Sequence, residues 1–239
     1  MENKDLSYID KNLAEIRGRM EAAAARSPYG NKPQLLVASK YATAEEINYA
    51  ISRGVRLFGE NRVSSLLEKY DMIDREKAEI HFIGSLQTNK VKSIIGKVSL
   101  IHSLDSVRLA EAIEKHSAAA GVTTAVLAEI NIGREPQKGG IMPEDAAAFA
   151  EKISQFPHVE LRGMMTMAPN CENVEEYRKY FRETYHIFID IFQKKLHNIG
   201  SYANSPILSM GMSGSYEPAI EEGADIVRIG RAVFKKDDQ

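Results

Sequence analysis

Lys40 follows Gln34-Leu35-Leu36-Val37-Ala38-Ser39, a short and mostly apolar run that begins just after Pro33. Such a run fits a strand buried on both faces, and a lysine that closes it sits at the strand's exit. Where that exit is partly shielded from water, burial disfavours the ammonium, and a neutral amine is what condenses with an aldehyde to give an imine. The alternative is a lysine that snorkels to solvent or pairs with a carboxylate. A second element is Ser209-Met210-Gly211-Met212-Ser213-Gly214-Ser215, placed ahead of a helical pattern. Glycines and serines there offer backbone N–H groups and hydroxyls to an anion. A third is Arg228-Ile229-Gly230-Arg231-Ala232, a glycine turn leaving an apolar run. Ordinary turn chemistry accounts for either loop alone. Arg228 lies just inside that last run, where an inward-facing guanidinium needs an acceptor. The acceptor is either a ring nitrogen held unprotonated or a carboxylate such as Glu129, and the residues alone favour the salt bridge. An amine for an aldehyde, two loops for a phosphate and an arginine for a pyridine together describe pyridoxal 5'-phosphate (PLP), held as a Schiff base on Lys40.

Other chemistry-bearing residues point elsewhere less well. The six histidines form no HExxH pattern, and none stands beside a second His or Cys at a metal-ligand spacing, so no metal site is expected. His81 lies within an apolar run; it can stack on a ring, although a satisfied core histidine is the commoner case. Cys171 follows Pro169-Asn170 with no histidine near it in sequence, which reads as an incidental thiol. Met164-Met165-Thr166-Met167 reads mostly as core. No GxGxxG or Walker A sequence occurs.

Placing these residues together requires a particular architecture. Ile9, Leu13, Ile16 and Met20 repeat at steps of four, three and four, which predicts an amphipathic helix ending before Ser27-Pro28-Tyr29-Gly30. Apolar strand candidates then recur at Leu35–Ser39, Arg56–Phe58, Glu79–Ile83, Leu100–Ser103, Ala125–Ile130, Glu160–Met165, Ile207–Met210 and Asp225–Ile229. Thr43-Ala44-Glu45-Glu46 is a capping box for the helix after the first strand. Further helical patterns fill 62–70, 87–97, 106–119, 143–155, 173–197 and 216–222, with Gly121, Gly200 and Gly223 at helix ends. Eight strands alternating with helices over 239 residues predict one closed (β/α)8 barrel spanning 1–239, with an extra N-terminal helix. In such barrels ligands sit at the C-terminal ends of the strands, often with a phosphate on the loops after strands seven and eight. Those are the two loops singled out above.

Composition narrows the class. With 44% hydrophobic residues the chain can bury a full core. A net charge of −2 gives no electrostatic reason to expect nucleic acid or an anionic membrane. The single cysteine excludes an intramolecular disulfide and points to a reducing cytoplasm. No apolar run approaches a bilayer's span, and the N-terminus lacks a signal-peptide core. No helix shows an apolar seam, so a monomer is expected.

The segments Leu36-Val37-Ala38-Ser39-Lys40, Phe58-Gly59-Glu60-Asn61-Arg62 and His81-Phe82-Ile83-Gly84-Ser85-Leu86-Gln87-Thr88-Asn89-Lys90 resemble, in order, those of the pyridoxal phosphate homeostasis protein family. So do Leu161-Arg162-Gly163-Met164-Met165, Leu208-Ser209-Met210-Gly211-Met212-Ser213 and Val227-Arg228-Ile229-Gly230. The resemblance implies the barrel of the alanine-racemase type (fold type III among PLP proteins) without that enzyme's second domain. It implies Lys40 as the PLP lysine, Ser213 with backbone groups of Gly230 and Arg231 as the phosphate cradle, and Arg228 facing the pyridine nitrogen. Asn61 and the Met210 region are implied as pocket lining. The family binds PLP without an established reaction and is implicated in supplying or buffering it. The chain departs from the family pattern at Ser64-Ser65, at Ser215 and at Gly139, all near the implied rim.

Three functions are therefore in play. A carrier holds a reactive aldehyde reversibly and meets PLP-dependent enzymes only transiently. A PLP-dependent racemase or decarboxylase needs a second acid/base opposite the cofactor, and neither Tyr41 nor Tyr216 near the rim fits that role. A barrel that binds a sugar phosphate keeps the loops and discards the Schiff base.

Overall fold

In the computed structural model, which describes residues 5–195 and 205–236, eight short parallel strands pair in chain order and close on themselves. They are β1 (Gln34–Ala38), β2 (Leu57–Glu60), β3 (Glu79–Phe82), β4 (Leu100–Leu104), β5 (Thr124–Ile130), β6 (Val159–Thr166), β7 (Ile207–Met212) and β8 (Ile226–Ile229). The closing pair sets Leu36 of β1 opposite Arg228 of β8, and Val37 opposite Ile229. Around the strands run α2 (Ala44–Ser52), α3 (Val63–Lys69), α4 (Val107–Ala120), α5 (Ala146–Ile153), α6 (Val174–Phe188), α7 (Tyr216–Glu221) and α8 (Arg231–Phe234). Ahead of them α1 (Ser7–Arg26) buries Ile9, Leu13, Ile16 and Met20, the stripe read from the sequence, and packs on α7 and α8. The expected (β/α)8 barrel with an added N-terminal helix is what forms.

Local signals act as their chemistry dictates. The Thr43 hydroxyl accepts from the Glu46 N–H at 3.2 Å, while the Glu46 carboxylate accepts from the Thr43 N–H at 2.8 Å, so the capping box is complete. Gly121 ends α4 in the left-handed region. The segment expected to be helical over 87–97 instead winds as 3-10 turns at Thr88–Ser93. Its two buried anchors, Val91 and Ile94, are three residues apart, the period at which a 3-10 helix stacks its side chains. The helical pattern at 173–197 runs as α6 and continues in a π-type coil at Ile189–Lys195; Gly200 and the last residues of that pattern lie outside the described residues. The short α8 has no counterpart in the sequence reading.

Alternation along the strands divides the core into two layers. Leu36, Leu57 and Ile226 form one cluster inside the barrel, and Leu100, Leu127 and Met165 another. Their neighbours Val37, Phe58, Ile80, Phe82, Ile101 and Val126 face the helices. Pairing of β6 with β7 depends on Gly163, at φ +141°, because a Cβ there would lie 1.9 Å from the Ile207 carbonyl oxygen. No described helix is long and apolar enough to cross a membrane.

Candidate functional site

The C-terminal mouth is built from the ends of β1, β2, β7 and β8. β1 ends at Ala38, and Ser39-Lys40-Tyr41 form the turn that leads to α2. That turn is clamped from below. Lys69 of α3 donates to the Ser39 carbonyl at 2.9 Å and to the Glu60 carboxylate at 2.8 Å, and the Ser39 hydroxyl donates to the same carboxylate at 2.8 Å. Glu60 is almost fully buried and Lys69 nearly so. A buried charge pair of this kind is costly to break from one side, so the backbone under Lys40 is fixed. Lys69 was not anticipated from the sequence, because it reaches the site from a helix thirty residues on.

The Lys40 side chain itself is exposed, with its Nζ 4.8 Å from the centre of the Tyr41 ring. This corrects the expectation of a lysine shielded at the mouth: the protein alone does not desolvate it, since the strand stops two residues short of it. Tyr41 is exposed too, and its phenol is held below the usual range, chiefly by hydrogen bonding to Lys40 and then by the charges of Lys40, Arg62 and Arg231. Arg231 therefore stands close to the Lys40–Tyr41 pair.

The register explains why. β8 runs beside β1, and the turn after β8 begins at Gly230, where a Cβ would lie 3.0 Å from the Ala38 carbonyl oxygen. The Gly230-Arg231 turn thus abuts the end of the strand that carries Lys40. On the next strand, Ser213 and Gly214 are exposed in the turn after β7. Ser215 is buried, and its hydroxyl accepts from the Met212 N–H at 3.2 Å. Ser213 therefore belongs to the open rim, and Ser215 to the turn's internal bonding.

Below the rim, Arg228 is buried inside the barrel. It donates to the Ser209 hydroxyl at 2.7 Å and to the Thr166 carbonyl at 2.9 Å. The salt bridge with Glu129 favoured by the residues alone does not form, because Ser209 and the Thr166 carbonyl lie across adjacent strands and take those N–H groups. Burial draws the Arg228 guanidinium down to about 10, opposed by the charge of Glu129. The Glu129 carboxyl is pushed up to about 7, first by burial and then by Asp105.

Two anticipated lining residues are placed differently. His81 is buried within the barrel, and its Nδ1 lies 2.9 Å from Nε2 of His102. It is a satisfied interior histidine and not a rim residue, because the chain runs on past it through Phe82, where β3 ends, and Ile83 before it reaches the rim. Met210 points the other way from Ser209, into the helix-facing core, and is fully buried there. Strand alternation leaves only its backbone to line a pocket.

Asn61 is half-buried and lines a rim hollow of about 420 Å³ with Arg62, Ser64, Gln87 and Lys90. Gly84 makes its position possible, since a Cβ there would lie 2.0 Å from the Asn61 carbonyl oxygen. A second hollow of about 270 Å³ holds Asp105, Glu129, Asn131, Lys138 and Gly139. Two of the departures from the family pattern, Ser64 and Gly139, thus face the rim. Another hollow, about 460 Å³, lies at the opposite end between α1 and the starts of β1 and β2, and contains none of the anticipated residues. The mouth, where strand ends converge, is the better site on chemical grounds.

Comparison with known proteins agrees with this geometry. The family model described as "Alanine racemase, N-terminal domain" matches residues 5–238. A pyridoxal phosphate homeostasis protein of Aquifex aeolicus is 41% identical over 225 residues, 94% of this chain and 96% of the relative. This chain belongs to the pyridoxal phosphate homeostasis protein family. A Helicobacter pylori member of that family is 36% identical over 233 residues, covering 97% of this chain and 100% of the relative. Among solved structures, PipY of Synechococcus elongatus with PLP bound superposes at a TM-score of 0.80 with 29% identity, covering 95% of this chain and 99% of that one. Alanine racemase of Corynebacterium glutamicum shares the fold, at a TM-score of 0.71 with 14% identity over 98% of this homeostasis-family chain and 62% of the racemase.

Proposed function

We propose that this chain binds PLP at the C-terminal mouth, with Lys40 as its covalent anchor, and keeps the cofactor available without turning over a substrate. The observation that carries this reading is the abutment of the Gly230-Arg231 turn on the end of β1, which sets an anion-binding turn beside an exposed primary amine. The donor set suits the group. Ser213, the amides of the Gly214 and Gly230 turns and the Arg231 charge would take the phosphate. Arg228 has donors only, so it would meet a ring nitrogen that accepts. Asn61 would line the pocket, whereas His81 and the Met210 side chain would act from behind it. When bound, PLP supplies an aldehyde carbon that joins the Lys40 amine through a C=N bond with loss of water. Family membership supports the reading, as does PLP bound in PipY.

Exposure of Lys40 favours storage over turnover. An anchor open to solvent lets water or another amine reach the linkage and release the cargo. The chain also matches 96% of a homeostasis protein but only 62% of a racemase. On this reading the protein works as a single-domain monomer in the cytoplasm and meets PLP-dependent enzymes transiently.

Borohydride reduction followed by mass spectrometry of peptides tests cofactor and residue together. The expected result is a reduced phosphopyridoxyl group on Lys40 alone, absent from Lys40→Ala. Equal PLP binding by Lys40→Ala would remove the covalent anchor and favour a barrel for other phosphates. Sustained conversion of an amino acid would instead make it an enzyme.

A further inference from the structure

Four side chains from β3, β4, β7 and β8 meet inside the barrel in an unbroken polar column. The Arg228 guanidinium donates to Ser209 Oγ at 2.7 Å, Ser209 Oγ lies 3.1 Å from His102 Nδ1, and His102 Nε2 lies 2.9 Å from His81 Nδ1. At the far end His81 Nε2 faces the Glu79 carboxylate at 3.6 Å, near the N-terminal opening where Glu79 reaches solvent. Ser209 and His102 have no exposed surface, and His81 and Arg228 have little. None of these contacts was visible as a sequence pattern.

We infer that this column is a one-way chain of hydrogen bonds from Arg228 to His81, whose Nε2 faces Glu79, which fixes His102 and His81 as neutral imidazoles protonated on Nε2 and makes Ser209 and His102 positioning residues for Arg228. The direction follows from the Arg228 end. A guanidinium has donors and no acceptor. With Arg228 donating to its oxygen, the Ser209 hydroxyl has its own proton to give, and His102 Nδ1 receives it. His102 must then carry its proton on Nε2, which donates to His81 Nδ1. His81 in turn carries its proton on Nε2, toward Glu79. Reversing the chain would give the buried Ser209 oxygen two donors and leave its own proton without the His102 acceptor.

The surroundings agree. Burial above all, with the charge of Arg228 adding to it, draws His102 well below the usual imidazole range, so it is neutral. The exposed Glu79 carboxyl is drawn down, chiefly by His81 and with Arg162 a minor contributor, so it is ionised. On the mouth side Arg228 meets the charge of Glu129, itself near Asp105. With one N–H on Ser209 and another on the Thr166 carbonyl, the guanidinium cannot rotate without breaking buried bonds. The chain is a property of the protein alone; only its use in holding Arg228 toward a ring nitrogen rests on the function proposed above.

Long-range 15N–1H correlation spectra of the labelled protein without cofactor decide the matter. The expected spectrum of wild type shows His81 and His102 each with Nδ1 unprotonated and Nε2 protonated, and Arg228 with separate, slowly exchanging Nη resonances. In Ser209→Ala the Arg228 resonances should merge and the His102 Nδ1 signal should move; Ser209→Thr should restore both. An Nδ1-protonated tautomer at either histidine in wild type overturns the chain without any variant having to fold. Unchanged Arg228 resonances in a folded Ser209→Ala protein overturn the positioning role. With PLP added, Ser209→Ala should shift the absorbance maximum of the bound cofactor and Ser209→Thr should return it. Failure of wild type to take up PLP shows in that arm alone; it would remove the functional reading and leave the tautomers decided.

Discussion

The interior of the barrel and its rim are held in opposite ways. Below the mouth, Arg228, Ser209, His102 and His81 are buried and bonded to one another from strand to strand. At the mouth Lys40, Arg62, Ser213, Gly214 and Arg231 are all exposed. The backbone beneath Lys40 is clamped, by Lys69 and Glu60. The difference shows where precision is built in and where exchange is allowed. A reversible binder needs an anchor that water and other amines can reach, yet its cofactor ring must meet a fixed partner. A rigid column under an open rim meets both needs.

The sharpest way to break this comparison is to truncate one residue from each region. Arg228→Ala removes two buried hydrogen bonds and leaves the Ser209 hydroxyl and the Thr166 carbonyl without their donor, so it should cost roughly 2–4 kcal/mol of folding stability by urea denaturation. Ser213→Ala, on the exposed rim, should stay within about 0.5 kcal/mol of wild type in the same assay. It should nonetheless weaken PLP binding by about five- to tenfold, the worth of a hydrogen bond to a charged phosphate. If both variants lose stability equally, the rim is not the loosely held region described here.

Glu129 lies at the boundary between the two, and its pH dependence locates that boundary. Its carboxyl is raised from 4.5 to about 7, mainly by burial. The folded state therefore binds the proton more tightly than the unfolded chain. The resulting stabilisation is complete below about pH 4.5 and is lost as pH rises through 7. Glu129→Gln carries no such charge. It should match wild type near pH 4 and exceed it near pH 8 by on the order of 2–3 kcal/mol. Parallel stability curves for the two proteins across that range would mean that Glu129 is as hydrated as the rim.

The sequence made the frame legible and the wiring illegible, for physical reasons. Strands buried on both faces read as apolar runs, so all eight stood out with ends displaced by at most a few residues. The segment at 87–97 misled because apolar positions three apart suit both an α-helix and the 3-10 turns that form. Lys40, Arg228 and the turns at Ser213 and Gly230 were singled out because each ends or nearly ends a strand. Met210 was assigned through the family resemblance, whereas alternation turns its side chain outward beside the inward Ser209. The link from Ser209 to His102 spans 107 positions and crosses the barrel. No spacing rule reports such a contact, since only closure of the sheet creates it.

The smallest effect concerns the contact of Lys40 with the Tyr41 ring at the rim. Its Nζ rests 4.8 Å from the centre of the Tyr41 ring, an exposed cation–π geometry. To reach an aldehyde at the mouth the side chain must leave that ring, so Tyr41 competes with the cofactor for the lysine. Tyr41→Leu should accordingly speed formation of the Lys40-linked PLP species by about two- to fivefold, the weight of one exposed cation–π contact. Tyr41→Phe keeps the ring but removes the phenol that hydrogen-bonds Lys40, so its rate should fall between wild type and Tyr41→Leu. Stopped-flow absorbance after mixing with PLP reads both rates. A slower Tyr41→Leu would mean that the ring guides the lysine toward the aldehyde, and the rim would then be more ordered than its exposure suggests.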